Sequence, residues 1–367
     1  MELDLNSKKL DKELINMIYK KELLILTKGD KDEIKKLSHL IQKYDTKNLR
    51  ISGGVNRLVV MLTHSCQLKC KYCSVRKFDS EMSPEILFKA IDLLFTSNKD
   101  NIQLQFFGGE PLLKFDLVKQ GVTYAEKKSE QTRKNIEFIL TTNGILLTKD
   151  KLEYFKGHNF TIEFSLDGDI ETQLKSRSLK NGGNYYQLVL DNLKDLARSN
   201  IRYYIISVVT PSNVHNLFNN FKYLYDFGFR NLQINYSLGV VWPKEKIKEL
   251  FKQLEIIKSE SENLTLINSL KTRREPVVLN AELTVDCDGI IYLETGICLE
   301  KDFSQLKKDF KVGDLDSIED INSICPMRSD TFRRLVEVYT KKDEKFREVI
   351  LNNIWLGKKM INFFKSG

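Results

Sequence analysis

The sequence has no long apolar run: no stretch approaches the roughly 18 apolar residues that a membrane-spanning helix needs. Its first residues include two acids and lack the apolar core of a signal peptide. Neither an anchor nor export is indicated, so we expect a cytoplasmic protein without a membrane partner. Hydrophobic residues make up 41% of the chain and charged residues 29%, which is typical of a globular protein.

Blocks of a single charge sign are also missing. The formal net charge is +8, but the lysines are interleaved with acidic residues, as in the segment KDEIKK at 31–36. This pattern favours a solvated surface of mixed charge over a nucleic-acid site, which needs clustered cations. We expect no nucleic-acid partner, while a basic face for an acidic peptide fits the charge equally well.

Strand-like and helix-like segments alternate along the middle of the chain. Short apolar or alternating segments predict strands at Arg57–Thr63, Ile102–Phe107, Ile136–Thr141, Phe160–Leu166, Tyr203–Val209 and Asn231–Tyr236. A helix-like segment follows each strand, and the first has Ser83 as N-cap and Pro84 at its first position. Such a series implies parallel strands with right-handed crossovers. We predict an α/β fold with a partial (β/α)6 TIM-like barrel, and a doubly wound sheet is the alternative.

The regularity of this alternation divides the chain into three regions. These are a helical N-terminal extension at 1–55, the barrel at 56–262, and a small C-terminal domain with helices at 263–367. The second boundary falls within 262–278. Residues 280–294 predict a hairpin that turns at Asp288-Gly289, and the chain from Thr331 onward predicts a polar helix.

The six cysteines fall into two groups of three. The first group is Cys66, Cys70 and Cys73, and the second is Cys287, Cys298 and Cys325. A cytosolic chain rarely uses cysteines for structural disulfides, so metal or redox chemistry is expected. The first group follows the carboxyl end of the first predicted strand, where barrel enzymes carry their chemistry. Gaps of three and two residues allow one loop to present three thiolates to a small cluster.

A zinc site with His64 as fourth ligand is the alternative for the first group. Zinc sites favour paired Cys-x-x-Cys units and take all four ligands from the protein. A four-iron cubane on three cysteines instead leaves one iron open, which can chelate an amine and a carboxylate. The spacing therefore favours iron–sulfur ligation.

The spacing Cys-x-x-x-Cys-x-x-Cys, with Tyr72 before the last cysteine, resembles the signature of the radical S-adenosylmethionine (SAM) superfamily. Further matches stand at predicted strand ends: Gly108-Gly109-Glu110-Pro111, Thr142-Asn143-Gly144 and Ser165-Leu166-Asp167-Gly168. The resemblance implies a [4Fe–4S] cluster on Cys66, Cys70 and Cys73 that binds SAM. It also implies reductive cleavage of SAM to a 5′-deoxyadenosyl radical, with flavodoxin or ferredoxin as electron donor.

The glycine-rich segment is assigned to SAM by the same resemblance. Gly108 and Gly109 would let the methionine ammonium approach the backbone closely, and Glu110 would be its charge partner. A tight strand-to-helix turn explains the glycines as well, but it does not explain the glutamate.

Five more residues receive roles through the resemblance. Ser165 is predicted to contact the ribose or carboxylate of SAM, Arg177 its carboxylate and Tyr72 its adenine. Asn143 is predicted to donate a hydrogen bond within the pocket, and Asp167 is predicted to be catalytic. Turn chemistry is the alternative for Asn143 and Asp167, surface exposure for Arg177, and core packing for Tyr72.

The second cysteine group lies in a region that resembles the auxiliary-cluster part of SPASM and twitch domains. The resemblance rests on the segments VDCDGIIY at 285–292 and KVGDL at 311–315. The chain departs from the pattern, because Glu294 stands where a cysteine is expected and no cysteine cluster follows Cys325. We predict one auxiliary [4Fe–4S] cluster on this group. The alternatives are three buried thiols, or a cysteine that donates a hydrogen atom.

The resemblance implies a radical SAM enzyme that modifies a ribosomally synthesised precursor peptide. Cross-linking, epimerisation and side-chain oxidation are all compatible with the sequence. The alternatives are formylglycine formation of the sulfatase-maturase type and a twitch-type enzyme that acts on a small molecule. A non-enzymatic zinc protein is the alternative from a different class.

Overall fold

The computed structural model describes residues 55–260, 265–266, 268, 282–298, 301, 303–324 and 344–365. The predicted N-terminal extension, Cys325, the side chain of Cys298 and most of the predicted boundary at 262–278 lie outside the described residues. Predictions that depend on them stay predictions.

The secondary structure follows the predicted alternation. The strands are β1 (Arg57–Thr63), β2 (Leu68–Cys70), β3 (Asn101–Gly108), β4 (Asn135–Thr142), β5 (Phe160–Ser165), β6 (Arg177–Leu179), β7 (Arg202–Val209), β8 (Asn231–Tyr236), β9 (Thr265–Leu266), β10 (Leu283–Val285), β11 (Ile290–Leu293) and β12 (Lys311–Asp314). The α-helices are α1 (Pro84–Phe95), α2 (Phe115–Thr132), α3 (Lys149–Lys156), α4 (Ile170–Ser176), α5 (Tyr186–Arg198), α6 (Leu217–Asp226), α7 (Lys244–Glu260), α8 (Glu294–Cys298) and α9 (Glu344–Lys365).

The long strands lie side by side in chain order. Their order is β1-β3-β4-β5-β7-β8, and each pairs in parallel with the next. In a doubly wound sheet the chain order reverses at a switch point. The predicted partial barrel is therefore confirmed, and the doubly wound alternative is wrong. Each of these strands agrees with its predicted bounds to within one residue at either end.

Alternate residues of each barrel strand build the core. On β1, Leu58, Val60 and Leu62 are fully buried and belong to the main apolar cluster. Complete burial of such a side chain stabilises the fold by about 1.5–3 kcal/mol. Successive side chains of a strand point to opposite faces, so the residues between them reach the barrel interior. That interior carries the site described below.

The start of α1 confirms the predicted cap. Ser83 has an extended backbone, and its side chain accepts a hydrogen bond from the Ile86 amide at 3.3 Å. Pro84 is the first helical residue, where its missing N–H removes no helical hydrogen bond. This cap ends the cluster loop, which runs from Thr63 to Ser83.

The predicted hairpin is also confirmed, and its position is informative. Strands β10 and β11 are antiparallel, and the turn between them contains Gly289 at φ +80°. Strand β10 pairs in parallel with β1, so the hairpin extends the barrel sheet at that edge. At the opposite edge the short β9 pairs with β8.

The C-terminal helix differs from its prediction. The sequence predicts a polar helix from Thr331 onward, and the structure describes α9 over Glu344–Lys365. Its residues Ile350, Ile354 and Met360 are buried, so one face packs against the barrel. Interspersed lysines made this amphipathic helix resemble a polar one. Within the described residues, no helix is long and apolar enough to cross a membrane.

Candidate SAM and iron–sulfur site

One cavity of about 380 Å³ lies at the carboxyl ends of the barrel strands and reaches into the interior. Cys66, Cys70 and Cys73 all line it, and so do Gly108 and Gly109. The structure therefore brings together the cysteine motif and the glycine-rich segment, as the sequence predicted.

A small two-stranded sheet holds the cluster loop. Strand β2 contains Cys70 and pairs antiparallel with β6, which places Cys70 opposite Arg177. The Lys71 amide donates to the Ser176 carbonyl at 2.9 Å, and the Cys73 amide donates to the Cys70 carbonyl at 3.2 Å. This sheet was not predicted, because three-residue strands carry no detectable alternation.

Gly108 and Gly109 pack against the backbone of the cluster loop. A Cβ on Gly108 would lie 2.3 Å from the Thr63 carbonyl oxygen, and one on Gly109 would lie 2.0 Å from that of Ser65. Gly108 also has φ +136°. The Gly109 amide donates to the Thr63 carbonyl at 2.6 Å. Both positions require glycine because the loop itself approaches this closely.

Glu110 is buried and links the ends of β3 and β4 through hydrogen bonds. Its carboxylate accepts hydrogen bonds from Thr142 Oγ1 at 2.7 Å, the Asn143 amide at 2.8 Å and the Leu112 amide at 3.1 Å. Burial raises the pKa of Glu110 to about 7, against the opposing effect of these hydrogen bonds. Its predicted contact with the methionine ammonium stays a prediction, since the donors shown all belong to the protein.

Asn143 reaches the cluster loop. Its side-chain amide lies 3.7 Å from Cys66 Sγ and 3.4 Å from Gln67 Oε1. Its own oxygen accepts from the Ile145 amide at 3.0 Å, which is a turn contact. Asn143 thus lines the cavity and makes a local turn contact, and its predicted role in cofactor binding stays a prediction. Hydrogen bonds to cluster sulfurs are one means by which proteins tune reduction potential.

The buried Asp167 and Arg177 form one group with the half-buried Tyr72. The Arg177 guanidinium donates two hydrogen bonds of 3.0 Å to the Asp167 carboxylate, and the Tyr72 hydroxyl also donates to Asp167. The Val208 amide donates to Asp167 at 3.0 Å, and the Arg177 guanidinium lies 5.2 Å from the Tyr72 ring centre. Asp167 thus joins the cluster loop to β7. Its catalytic role and the SAM contacts of the other two stay predictions, as does that of Ser165, which lines the cavity.

His64 points away from the cysteine group and toward the hairpin. Its Nε2 lies 2.7 Å from Asp286 Oδ1, and its Nδ1 lies 2.9 Å from the Arg76 carbonyl oxygen. Lys307 forms an ion pair with the other oxygen of Asp286. Burial alone would raise the pKa of Asp286, but His64 and Lys307 lower it to about 2. Sequence analysis missed this link because its members are far apart in the chain.

The donor set fits a cluster better than a single zinc ion. Among the described residues, one group of three possible metal ligands has its ligand atoms within 4.8 Å of one another: His64, Asp286 and Cys287. The sulfurs of the three loop cysteines do not all lie that close together, whereas a tetrahedral zinc site holds its sulfurs about 4 Å apart. A cubane places each thiolate on a different iron, and so suits the wider spacing. Burial raises the pKa of the Cys70 thiol to about 12, so ligation must displace its proton.

Polar side chains occupy the barrel interior beneath the cysteines. Glu163 accepts from Gln105 at 3.1 Å and from Thr141 at 2.7 Å, and it lies 3.7 Å from the Arg57 guanidinium. Arg57 also lies 3.9 Å from Glu282. The signal for this polar layer in the sequence is the presence of polar residues at alternate positions of otherwise apolar strands.

Comparison with known proteins identifies the family. A family model described as the Radical SAM superfamily matches residues 60–224. An uncharacterised protein of Methanocaldococcus jannaschii is 31% identical over 245 residues, which cover 66% of this chain and 80% of that protein. This chain belongs to the radical SAM superfamily. The resemblance drawn from the cysteine motif is confirmed, and the zinc protein is excluded.

Two further comparisons find one relative by sequence and one by fold. A cysteine-type anaerobic sulfatase-maturating enzyme of Clostridium novyi is 26% identical over 190 residues, which cover 49% of this chain and 50% of that enzyme. A solved structure titled native anSMEcpe with bound AdoMet and Cp18Cys peptide has a TM-score of 0.65 at 18% identity. The alignment covers 84% of this chain and 95% of that one, and it shows a shared fold. By sequence, this radical SAM enzyme spans about half the length of the Clostridium novyi maturase.

Proposed function

We propose that this radical SAM enzyme modifies a ribosomally synthesised precursor peptide, with flavodoxin or ferredoxin as electron donor. The observation that carries the proposal is the shared cavity. The three cysteines and the glycine-rich segment line one part of the cavity, which continues past them to buried polar residues of other strands. A substrate group can therefore lie beside the cofactor inside the barrel.

Membership of the superfamily implies a [4Fe–4S] cluster and SAM, which when bound supply a 5′-deoxyadenosyl radical for hydrogen abstraction. The thiolates of Cys66, Cys70 and Cys73 would hold the cluster. Glu110 and Asp167 maintain the shape of the surrounding strand ends through the hydrogen bonds described above. Helix α9 contributes Met360 and Phe364 to the cavity lining, which helps to exclude water from a reactive site.

The relatives support a peptide substrate. The Clostridium novyi enzyme is named for maturing sulfatases, which are proteins, and the structure of the related fold holds both AdoMet and a peptide. A cavity that reaches from the strand ends into the barrel interior suits a side chain on a peptide better than the surface of a folded protein.

The test uses anaerobically reconstituted enzyme, SAM, a chemical reductant and peptides translated from short reading frames beside the gene. Mass spectrometry of the peptide and quantification of 5′-deoxyadenosine are the measurements. We expect one peptide to change mass in step with 5′-deoxyadenosine formation. Turnover of SAM that is unaffected by every peptide, together with no mass change, would contradict the proposal.

Formylglycine formation on a sulfatase is the second candidate, because the shared fold extends over nearly the whole of the anSMEcpe chain. The same assay with a sulfatase peptide that carries the target cysteine, or serine in its place, tests it. Conversion of that peptide, but of no neighbouring-frame peptide, would favour this candidate.

We also propose one auxiliary [4Fe–4S] cluster on Cys287, Cys298 and Cys325. Within the described part, Cys287 is buried beside β1 and its thiol donates to the Met61 carbonyl at 3.1 Å. We expect about eight irons per chain, and about four in the variant with all three cysteines changed to alanine. That variant should still cleave SAM but fail to modify the peptide. About four irons in both proteins would contradict the auxiliary cluster.

A further inference from the structure

The cavity has two walls that face each other across the barrel. The cofactor wall consists of the cluster loop and the ends of β3, β4 and β5. The β8 wall consists of Gln233, Asn235 and Ser237, which lie on or directly after β8. In the sheet order, β4, β5 and β7 separate β8 from β3, so in the curved sheet β8 lies across the cavity from the glycine-rich segment at the end of β3. A molecule bound on the cofactor wall therefore presents its free side toward β8.

Unpaired polar atoms are concentrated in this cavity. The described residues contain four buried side-chain atoms without a hydrogen-bond partner, and three of them belong to cavity-lining residues: Arg57 Nε, Gln233 Oε1 and Ser237 Oγ. Gln233 is 8% exposed and Ser237 is 3% exposed. Buried polar atoms are nearly always hydrogen-bonded in folded proteins. Their concentration here indicates a ligand that supplies the missing partners.

Each unpaired atom has a defined requirement. Gln233 donates through Nε2 to Asn235 Oδ1 at 2.9 Å, so its remaining Oε1 needs a donor. Arg57 Nε needs an acceptor, and the Ser237 hydroxyl can pair with either. A carboxylate offers acceptors alone, and an ammonium offers donors alone. Either group would leave one atom unpaired. A hydroxyl offers a donor and acceptors on one oxygen, and an amide offers them on two separate atoms, its N–H and its C=O.

We propose that the β8 wall and Arg57 form an amide-binding subsite, which holds a peptide or carboxamide group of the substrate opposite the cofactor. The inference deepens the proposed function and rests on it, because a peptide is the source of such amides. Its chemistry comes from the three unpaired atoms alone, so it can be tested without knowledge of the natural peptide.

The subsite is held in shape by the C-terminal helix. The Asn353 side chain accepts from the Gly239 amide at 2.9 Å and donates to the Val240 carbonyl at 2.8 Å. The Trp242 indole donates to the Ser237 carbonyl at 3.1 Å. The Ser237 backbone is thus fixed while its hydroxyl is unpaired, which is the arrangement expected of a preorganised binding group.

The binding test uses reconstituted holoenzyme with SAM bound, so that the cofactor wall is occupied. Saturation-transfer NMR compares four probes of similar size: N-methylacetamide, 2-propanol, methyl acetate and methylammonium. We expect the strongest transfer to N-methylacetamide and little to the ester or the cation. Transfer to 2-propanol as strong as that to N-methylacetamide, or equal transfer to all four probes, would overturn the proposal. Acetamide is compared with N-methylacetamide, because stronger transfer to acetamide points to an asparagine or glutamine side chain, and the reverse points to peptide backbone.

Matched variants locate the binding. Gln233→Leu and Ser237→Ala should each abolish transfer to the amide, since loss of one buried hydrogen bond weakens binding on the order of tenfold. Ser237→Thr, which keeps the hydroxyl, should retain it. The control is Ser199→Ala, which removes a buried hydroxyl outside the cavity that donates to the Leu196 carbonyl at 2.6 Å.

Affinity for SAM separates this subsite from the cofactor site. Both β8-wall variants should bind SAM as the wild type does and should form 5′-deoxyadenosine at the same uncoupled rate. A tenfold loss of SAM affinity in either variant would assign these atoms to the cofactor and overturn the proposal. If amide binding depends on the β8 wall but no peptide is ever modified, the subsite stands and the proposed peptide modification fails.

Discussion

The cofactor wall and the β8 wall satisfy their polar groups in opposite ways. On the cofactor wall, Glu110 accepts three hydrogen bonds, and Asp167 binds Arg177, Tyr72 and the Val208 amide. On the β8 wall, Gln233 and Ser237 are also buried but carry unpaired atoms. The first wall has its shape before any ligand binds, whereas the second is completed by its ligand.

The largest effect is expected from removing the proposed cluster ligands of the cofactor wall. Changing Cys66, Cys70 and Cys73 together to alanine should abolish cleavage of SAM, because these thiolates are the proposed ligands of the cluster. The measurement is 5′-deoxyadenosine formed under anaerobic reducing conditions. Cys287→Ala is the matched control and should retain cleavage. Wild-type yields from the triple variant would contradict the assignment.

The next effect tests the close packing of the glycine-rich segment on the cluster loop. In Gly109→Ala the new Cβ would meet the Ser65 carbonyl oxygen, and backbone cannot move aside cheaply. We expect a loss of about 1–3 kcal/mol in the free energy of unfolding, together with lower iron retention. Gly157→Ala is the control, since its nearest neighbour would lie at an ordinary 3.5 Å. Equal iron content and stability in both variants would argue against a packing role.

A smaller effect on the cofactor chemistry, together with a pH-dependent effect on stability, is expected from Glu110→Gln. The pKa of Glu110 rises on folding from 4.5 to about 7, so the folded state binds a proton more tightly than the unfolded chain. Its contribution to stability is therefore present at pH below about 4.5 and lost as pH rises through about 7, a change on the order of 3 kcal/mol.

Urea denaturation across this pH range measures the effect. The stability of the wild type relative to the Glu110→Gln variant should fall as pH rises, because the variant lacks the titrating group. SAM affinity should also fall in the variant, with the cluster spectrum unchanged. Parallel pH profiles for the two proteins would show that Glu110 does not titrate in this range.

The smallest effect on SAM cleavage is expected from a change that loosens the β8 wall. Asn353→Ala leaves the Val240 carbonyl and the Gly239 amide without their side-chain partner, at a cost of about 1–3 kcal/mol. The β8 wall should loosen, so peptide turnover should fall while uncoupled SAM cleavage is retained. Loss of both activities in equal measure would show that the two walls are not separable.

Local patterns predicted the barrel strands well. Alternation placed six strands to within a residue, and Ser83-Pro84 and Asp288-Gly289 marked a helix start and a turn correctly. The cysteine and glycine motifs identified the superfamily, since each lies within a short segment at a strand end. These features depend on neighbours a few residues apart, which a sequence displays directly.

Only the tertiary structure decided how distant segments meet at the site. The pairing of Cys70 with Arg177, the contact of His64 with Asp286 and the position of β10 beside β1 join residues roughly 100 to 230 apart. No periodicity encodes such contacts, because they arise when strands and loops pack into one sheet. The sequence by itself determined the superfamily and the bounds of the barrel strands, because both depend on short segments. The packing of the barrel decided the order of the strands, which buried groups are paired and which are left for a ligand.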